Sequence, residues 1–159
     1  FDKKIKNLFL NDYTKAVKNE YDAWQDNPNN CLALIIILDQ FSRNLFRNSP
    51  RAFDQDYKAR LIVNEAIDRG YLEELDENKN FFLLLPLIHS ENLDDHIFGH
   101  QLVKTYLSKH KNYKQIKKVW NEHTIPIKKY GRYPHRNNVL GRQSTTEEVI
   151  FLNKKNSSW

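Results

Sequence analysis

Apolar residues recur at helical spacing along almost the whole chain, and no segment shows the strict alternation that a half-buried strand requires. Only four glycines occur in 159 residues, which argues against a fold rich in tight β-turns. Helices joined by short connections pack most simply as antiparallel pairs. The sequence therefore predicts an all-α fold of six or seven helices packed as antiparallel helical hairpins.

Capping residues and helix breakers predict where these helices begin and end. Ser49 followed by Pro50 is a helix start, and Gly70 is a helix stop. Pro86 and Pro126 lie inside predicted helices, and each is expected to kink its helix because the ring clashes with a carbonyl one turn back. The predicted helices span residues 2–19, 31–47, 50–70, 77–90, 92–109 and 113–130, and a short last helix begins at Ser144 or Thr145, each three residues before a glutamate as in a capping box.

Length and composition exclude several classes of protein. A chain of 159 residues suffices for one helical domain over residues 1–159. Cys31 is the single cysteine, so an intrachain disulfide is excluded and a reducing compartment is expected. No apolar run approaches the roughly 18 residues of a membrane span, and no secretion signal is evident. The sequence predicts a cytoplasmic protein without a membrane partner.

Some features of the sequence suggest nucleic acid or a metal ion as an alternative partner. The net charge of +5 and the lysines of residues 109–118 suggest nucleic acid, but lysines spread over several helices are more typical of a solvated surface. His96 and His100 have the i,i+4 spacing of zinc ligands, but Ile97 stands where the zinc-protease motif has its glutamate. A nucleic-acid partner is therefore not expected, and neither a metal nor another cofactor is predicted.

A polar stripe follows the apolar first half of the second predicted helix. A helix that is apolar on every side belongs in the middle of a domain, so polar groups that follow it must face a groove or one another. An Asp39–Arg43 pair at i,i+4 is the structural interpretation, and a ligand site is the functional one. At about 100° per residue, one arc of the helix holds Asp39, Gln40, Arg43, Asn44 and Arg47.

Two further segments carry related chemistry. His89 and Glu91 follow the second helix that is apolar all round, and a carboxylate near a helix C-terminus needs a cation to meet it. The loop of residues 131–142 holds positive charges that repel one another, so it stays ordered only if carboxylates or a bound anion neutralise it. Its polar side chains are Arg132, His135, Arg136, Asn137 and Arg142.

These three motifs, in this order, resemble a bacterial family, domain-of-unknown-function family 924, which is grouped with tetratricopeptide-like helical folds. The resemblance covers nearly the whole chain and is carried by residues 39–47, 89–91, 131–137 and 141–142. It implies a tetratricopeptide-like architecture and no established activity. Ser42 stands where members usually have proline, and the resemblance implies that this chain lacks an aromatic N-terminal segment that members carry.

The sequence thus predicts one pocket that binds an anionic small molecule or a peptide carboxylate. Its predicted ligand-binding residues are Asp39, Gln40, Arg43, Asn44, Arg47, His89, Glu91, Arg132, His135, Arg136, Asn137 and Arg142. Glu91, His89 and Asp39 are the candidate catalytic residues if the protein is a hydrolase or transferase acting on an anionic substrate. The competing hypothesis is a tetratricopeptide-like interaction scaffold whose polar network is structural. Catalysis and oligomeric state are left open.

Overall fold

A computed structural model of the chain describes residues 2–154 and residue 157, without the side chains of residues 2, 3 and 5, and this part contains helices and turns but no strand. The predicted all-α class is confirmed. The α-helices are α1 (Asp2–Val17), α2 (Pro28–Ile36), α3 (Ser42–Leu45), α4 (Asp56–Asp68), α5 (Tyr71–Glu74), α6 (Glu77–His89), α7 (Leu93–Tyr106), α8 (Tyr113–Tyr130) and α9 (Thr146–Leu152). Short 3-10 turns occupy Asp22–Asp26, Pro50–Ala52 and Pro134–Arg136, and a π-helical turn occupies Ile37–Phe41.

The predicted helix over residues 31–47 was wrong in its start and in its continuity. The helix begins at Pro28, three residues before the predicted start, because the Asn27 side chain accepts hydrogen bonds from the amides of Asn29 and Asn30 and so caps an earlier first turn. The helix then changes to the π-helical turn Ile37–Phe41 before it resumes as α3.

The predicted helix over residues 50–70 was also wrong at its start. Ser49 and Pro50 begin only the 3-10 turn Pro50–Ala52, and α4 starts at Asp56. Gly70 ends α4 as expected, with a φ of 80° that a residue with a side chain rarely adopts. The four-residue helix α5, which begins at Tyr71, was not predicted.

Helix α6 forms the centre of the fold. It packs against α2, α4, α7 and α8, and its residues Leu83, Leu84 and Leu87 are completely buried. A helix with apolar residues on all sides favours this central place. Helix α6 continues through Pro86, and α8 continues through Pro126. The predicted kinks at these two prolines stay predictions.

None of the described helices is both long and apolar enough to cross a membrane.

Helices α7 and α8 approach closely at Gly99. A Cβ atom at this position would lie 2.4 Å from Cζ2 of the buried Trp120 ring, so the missing side chain is what allows the ring to pack there. Trp120 is 1% exposed. This contact fixes the turn of α8 that precedes His123, a residue of the cavity described below.

The loop between α8 and α9 is fixed at both ends. Gly131 ends α8 with a φ of 67°. At the other end, Thr145 and Glu148 form a capping box in which each side chain accepts a hydrogen bond from the other residue's amide. Of the two predicted starts for the last helix, Thr145 is the N-cap. The loop thereby holds its arginines close to α6.

Candidate functional site

The site begins at the π-helical turn Ile37–Phe41, where Asp39 is only 1% exposed. A π turn inserts one extra residue into a helix and often occurs at functional sites. The Ser42 hydroxyl donates a hydrogen bond to the Asp39 carbonyl at 2.7 Å, which satisfies a backbone group inside the altered turn. The regular-helix geometry from which the polar arc was predicted therefore does not hold at Asp39.

The Asp39 carboxylate is a hub for three side chains. It accepts hydrogen bonds from Arg43 Nη2 at 3.1 Å and from Gln40 Nε2 at 2.5 Å, and it lies 2.7 Å from His89 Nδ1. Burial on its own raises the pKa of Asp39, but the opposing effects of His89, Arg43 and the Gln40 amide hold this pKa well below its usual value. Asp39 is therefore ionised in the folded protein.

His89 has a defined orientation because of this contact. A carboxylate only accepts hydrogen bonds, so the His89 ring donates from Nδ1 and leaves Nε2 as its other polar atom. The backbone carbonyl of His89 accepts a hydrogen bond from Arg136 Nη2 at 2.9 Å. His89 is the last residue of α6, so the central helix of the fold positions its imidazole.

Asp56 joins two arginines that are distant in sequence. Its carboxylate lies 3.0 Å from Arg43 Nη2 and 3.2 Å from Arg136 Nη1. The ring of Phe53 lies beside both guanidinium groups, with its centroid 5.4 Å from the Arg43 Cζ atom and 4.6 Å from that of Arg136. Neither Asp56 nor Phe53 was predicted as a site residue. Asp56 gave no signal because a carboxylate in the first turn of a helix is common.

Arg43, Phe53, His89 and Arg136 border a cavity of about 420 Å³, called here the first cavity. Among the described residues, its lining holds three arginines and three histidines but no carboxylate. It brings together predicted residues from all three segments. The lining is Gln40, Arg43, Arg47, Asn48, Ala52, Phe53, His89, His123, Tyr133, His135, Arg136 and Val139.

Two histidines of this cavity are held neutral. Burial and, among other nearby charges, that of Arg136 lower the pKa of His135 to about 4. Burial also lowers the pKa of His123 to about 4, against the opposing effect of its hydrogen bond from Nδ1 to the Val119 carbonyl at 2.8 Å. His123 was not predicted from the sequence, where it lies in an ordinary helical stretch. Both rings add polar atoms to the cavity without adding charge near pH 7.

These lowered pKa values predict that acid destabilises the fold. The unfolded chain binds protons at His123 and His135 near their ordinary pKa of 6.5, whereas the folded chain binds them near 4. The free energy of unfolding therefore falls as the pH drops from about 6.5 to 4, by about 3 kcal/mol in total at roughly 1.4 kcal/mol per pKa unit after discounting for partial exposure. Urea unfolding across this pH range measures the loss.

The double variant His123→Gln/His135→Gln is expected to flatten the pH dependence of the free energy of unfolding, because neither glutamine takes up a proton. His110→Gln is the matched control, since His110 lies outside the first cavity and contacts Asn78. A pH dependence that is unchanged in the double variant would contradict the assignment.

A second set of side chains forms what we call the loop clamp: Glu91, Arg132, Asn137, Arg142 and Glu148. Arg142 donates to both oxygens of the Glu91 carboxylate, at 2.6 and 3.0 Å. The Tyr133 amide also donates to Glu91, at 2.8 Å. The cation that Glu91 requires at the end of α6 is thus Arg142, and this pair holds the loop against the helix.

The other half of the loop clamp centres on Glu148. Arg132 donates to its two oxygens at 2.7 and 2.8 Å, and these bonds are the main reason that the pKa of Glu148 is lowered to about 2. Asn137 connects the halves, because it donates to Glu148 at 3.3 Å and accepts from Arg142 at 2.9 Å. Nothing in the sequence marked Glu148 as more than a capping residue.

The structure therefore divides the predicted site residues into two groups. Those that line the first cavity are Gln40, Arg43, Arg47, His89, His135 and Arg136, and Asp39 lies behind its wall. Those that belong to the loop clamp are Glu91, Arg132, Asn137 and Arg142. Asn44 donates to the Gln40 carbonyl and accepts from Arg47. In the part of the chain that the structure describes, no group of three histidine, cysteine or acidic side chains is arranged to hold a metal ion.

Comparisons with known proteins give a family and a fold but no activity. A family model described as a bacterial protein of unknown function (DUF924) matches residues 1–156. A solved structure of a protein of unknown function from Agrobacterium tumefaciens is 31% identical, with a TM-score of 0.87 over 96% of this chain and 84% of that one. No curated protein matches the sequence.

Proposed function

The chain belongs to the bacterial family of unknown function DUF924, and from the geometry of its site we propose that the first cavity binds an anionic small molecule or a peptide carboxylate. His89 is the group that exchanges a proton with this ligand. One observation carries the proposal: His89, which lies 2.7 Å from Asp39, lines a cavity whose described lining residues include three arginines and no carboxylate.

Arg43 and Arg136 support binding of an anion because each keeps an unused donor. Both guanidinium groups are held near the first cavity by Asp56. Their Nε groups are buried, and no hydrogen-bond acceptor reaches them within the described residues. Such a donor costs about 1–3 kcal/mol when it is left unsatisfied. If these two side chains reorient on binding, a carboxylate or phosphate supplies acceptors that suit guanidinium groups.

His89 is better placed than Asp39 or Glu91 to move a proton. Asp39 is almost inaccessible, and both oxygens of Glu91 accept hydrogen bonds in the loop clamp. A carboxylate on Nδ1 fixes the imidazole tautomer and stabilises the cation that forms when Nε2 takes up a proton. This pairing favours a second candidate function, a hydrolase or transferase acting on an anionic substrate.

If the polar network is only structural, as in the interaction-scaffold hypothesis, the first cavity binds no anion. Calorimetry tests this difference. The probes are inorganic phosphate and hexanoate at constant ionic strength, titrated into the wild-type chain. Arg47 lines the cavity but is exposed, so Arg47→Gln is expected to weaken binding by about three- to tenfold without unfolding the protein.

Lys114→Gln is the matched control, because it removes the same charge from an exposed residue of α8 that does not line the first cavity. Its affinity for both probes should equal that of the wild type. Absence of binding by the wild type, or equal weakening in the two variants, would contradict an anion site in the first cavity and favour the scaffold.

A further inference from the structure

A second cavity of about 350 Å³ adjoins the first. The two cavities share Phe53, His89 and Arg136 as lining residues. His89 therefore borders both spaces, and a ligand that reaches from one to the other passes this imidazole. The remaining lining of the second cavity is Pro50, Asp54, Asp56, Tyr57, Arg60, Ser90, Glu91 and Leu140.

The charges that line the two cavities differ in sign. Among the described residues, the first holds three arginines and no carboxylate, whereas the second holds three carboxylates, Asp54, Asp56 and Glu91, beside Arg60 and Arg136. The potential therefore changes from positive to negative across the shared wall. A ligand with one charge of each sign matches this arrangement better than a simple anion does.

Asp54 is the carboxylate of the second cavity that is available to a ligand. Arg60 already pairs with Asp95 at 2.6 Å, and Asp56 and Glu91 already pair with arginines. Asp54 is exposed, and among the described residues its carboxylate has no ion-pair partner. It can therefore accept an ammonium or guanidinium group without first breaking an ion pair.

Aromatic rings also line the second cavity. Tyr57 is 64% exposed. The Arg60 guanidinium lies 5.2 Å from the Tyr57 ring centroid, and Phe53 likewise lies beside arginines. Because these rings already contact cations, the group that attracts a ligand's ammonium group in this cavity is the Asp54 carboxylate.

We propose that the two cavities together bind a zwitterionic ligand of the amino-acid or short-peptide class. Its carboxylate lies in the first cavity among Arg43, Arg47 and Arg136, and its ammonium or guanidinium group lies in the second cavity at Asp54. This inference rests on the anion site proposed above and names the class of ligand for it. The atoms between the two charged groups then lie next to His89.

A series of ligands with matched chain lengths tests the inference. Acetate, butyrate and hexanoate carry only the anion, and glycine, 4-aminobutyrate and 6-aminohexanoate add an ammonium group to chains of the same lengths. Calorimetry at constant ionic strength and pH 7 compares each pair. At least one amino acid of the series is expected to bind about tenfold more tightly than its parent acid.

Two variants identify the source of that preference. Asp54→Asn is expected to abolish it and to leave the affinity for the parent acid unchanged. Asp68→Asn is the control, since Asp68 is an exposed aspartate of α4 that lines neither cavity, and the preference should persist there.

The outcomes separate this inference from the proposed function. If the acids bind but no amino acid binds more tightly, or if Asp54→Asn keeps the preference, the zwitterion is excluded and the anion site stands. If no compound of the series binds, the zwitterion is excluded, and if phosphate does not bind either, the anion site is overturned as well.

Discussion

Replacing Asp39 by asparagine is expected to lower the free energy of unfolding by about 3–5 kcal/mol, the usual cost of leaving a buried charge without its partner. The Asp39 carboxylate is 1% exposed and lies 3.1 Å from Arg43 and 2.7 Å from His89. An amide has nearly the same size but no charge, so packing is conserved while the ion pair is lost. Urea unfolding at pH 7 measures the change.

The same variant carries a pH signature. The pKa of Asp39 is lowered in the folded state, so the stability that its charge contributes is present above the unfolded pKa of about 3.9 and is lost as the pH falls towards the folded pKa. The difference in free energy of unfolding between the wild type and Asp39→Asn should therefore become smaller below about pH 4. Asp68→Asn, which changes an exposed aspartate, should cost under about 0.5 kcal/mol. A similarly small cost for Asp39→Asn would refute the buried hub.

Arg136→Met is the second substitution with a large expected effect, a loss of about 3 kcal/mol in the free energy of unfolding. Arg136 is 6% exposed, bonds to Asp56 and to the His89 carbonyl, and packs its guanidinium beside Phe53 and Tyr133. Methionine fills a similar volume but removes the charge and the donors. Lysine should restore only part of the loss, because it lacks the planar guanidinium.

A double-mutant cycle with Asp56→Asn separates the ion pair from the packing. We expect a coupling energy of at least about 1 kcal/mol between Arg136→Met and Asp56→Asn. Arg51→Met is the control, because Arg51 is exposed and lies over the Phe46 ring, and it should change stability by well under about 1 kcal/mol. Additive effects in the cycle would show that the Asp56 ion pair contributes nothing, which would leave the packing of Arg136 and its bond to the His89 carbonyl.

The polar stripe after α2 could be predicted because burial makes unpaired polar groups costly, so Asp39 and Arg43 had to meet partners. The pairing of the loop of residues 131–142 with acidic side chains could be predicted for the same reason, since its arginines needed carboxylates. The partner of Glu91 was also expected to be a cation, and it is Arg142. These inferences depend on charge balance and helix ends, which local sequence shows.

The division of the arginines between cavity and loop clamp could not be predicted. Arg132, Arg136 and Arg142 lie within eleven residues, and only the course of the loop decides which of them faces the first cavity. Asp56 pairs with residues 13 and 80 positions away, and no local pattern encodes such distances. The π-helical turn at Asp39, which packs against α1 and α4, likewise could not be predicted, since its sequence continues a helical pattern.

The proposed function depends on the orientation of the His89 ring, and nitrogen NMR measures this orientation directly. In a long-range ¹H–¹⁵N spectrum of the labelled protein, assigned with His89→Gln, the neutral ring is predicted to carry its proton on Nδ1, opposite the Asp39 carboxylate. Adding phosphate should shift the Nε2 resonance. A His89 ring protonated on Nε2 in its neutral form, or one whose Nε2 resonance does not respond to any anionic probe, would contradict the account.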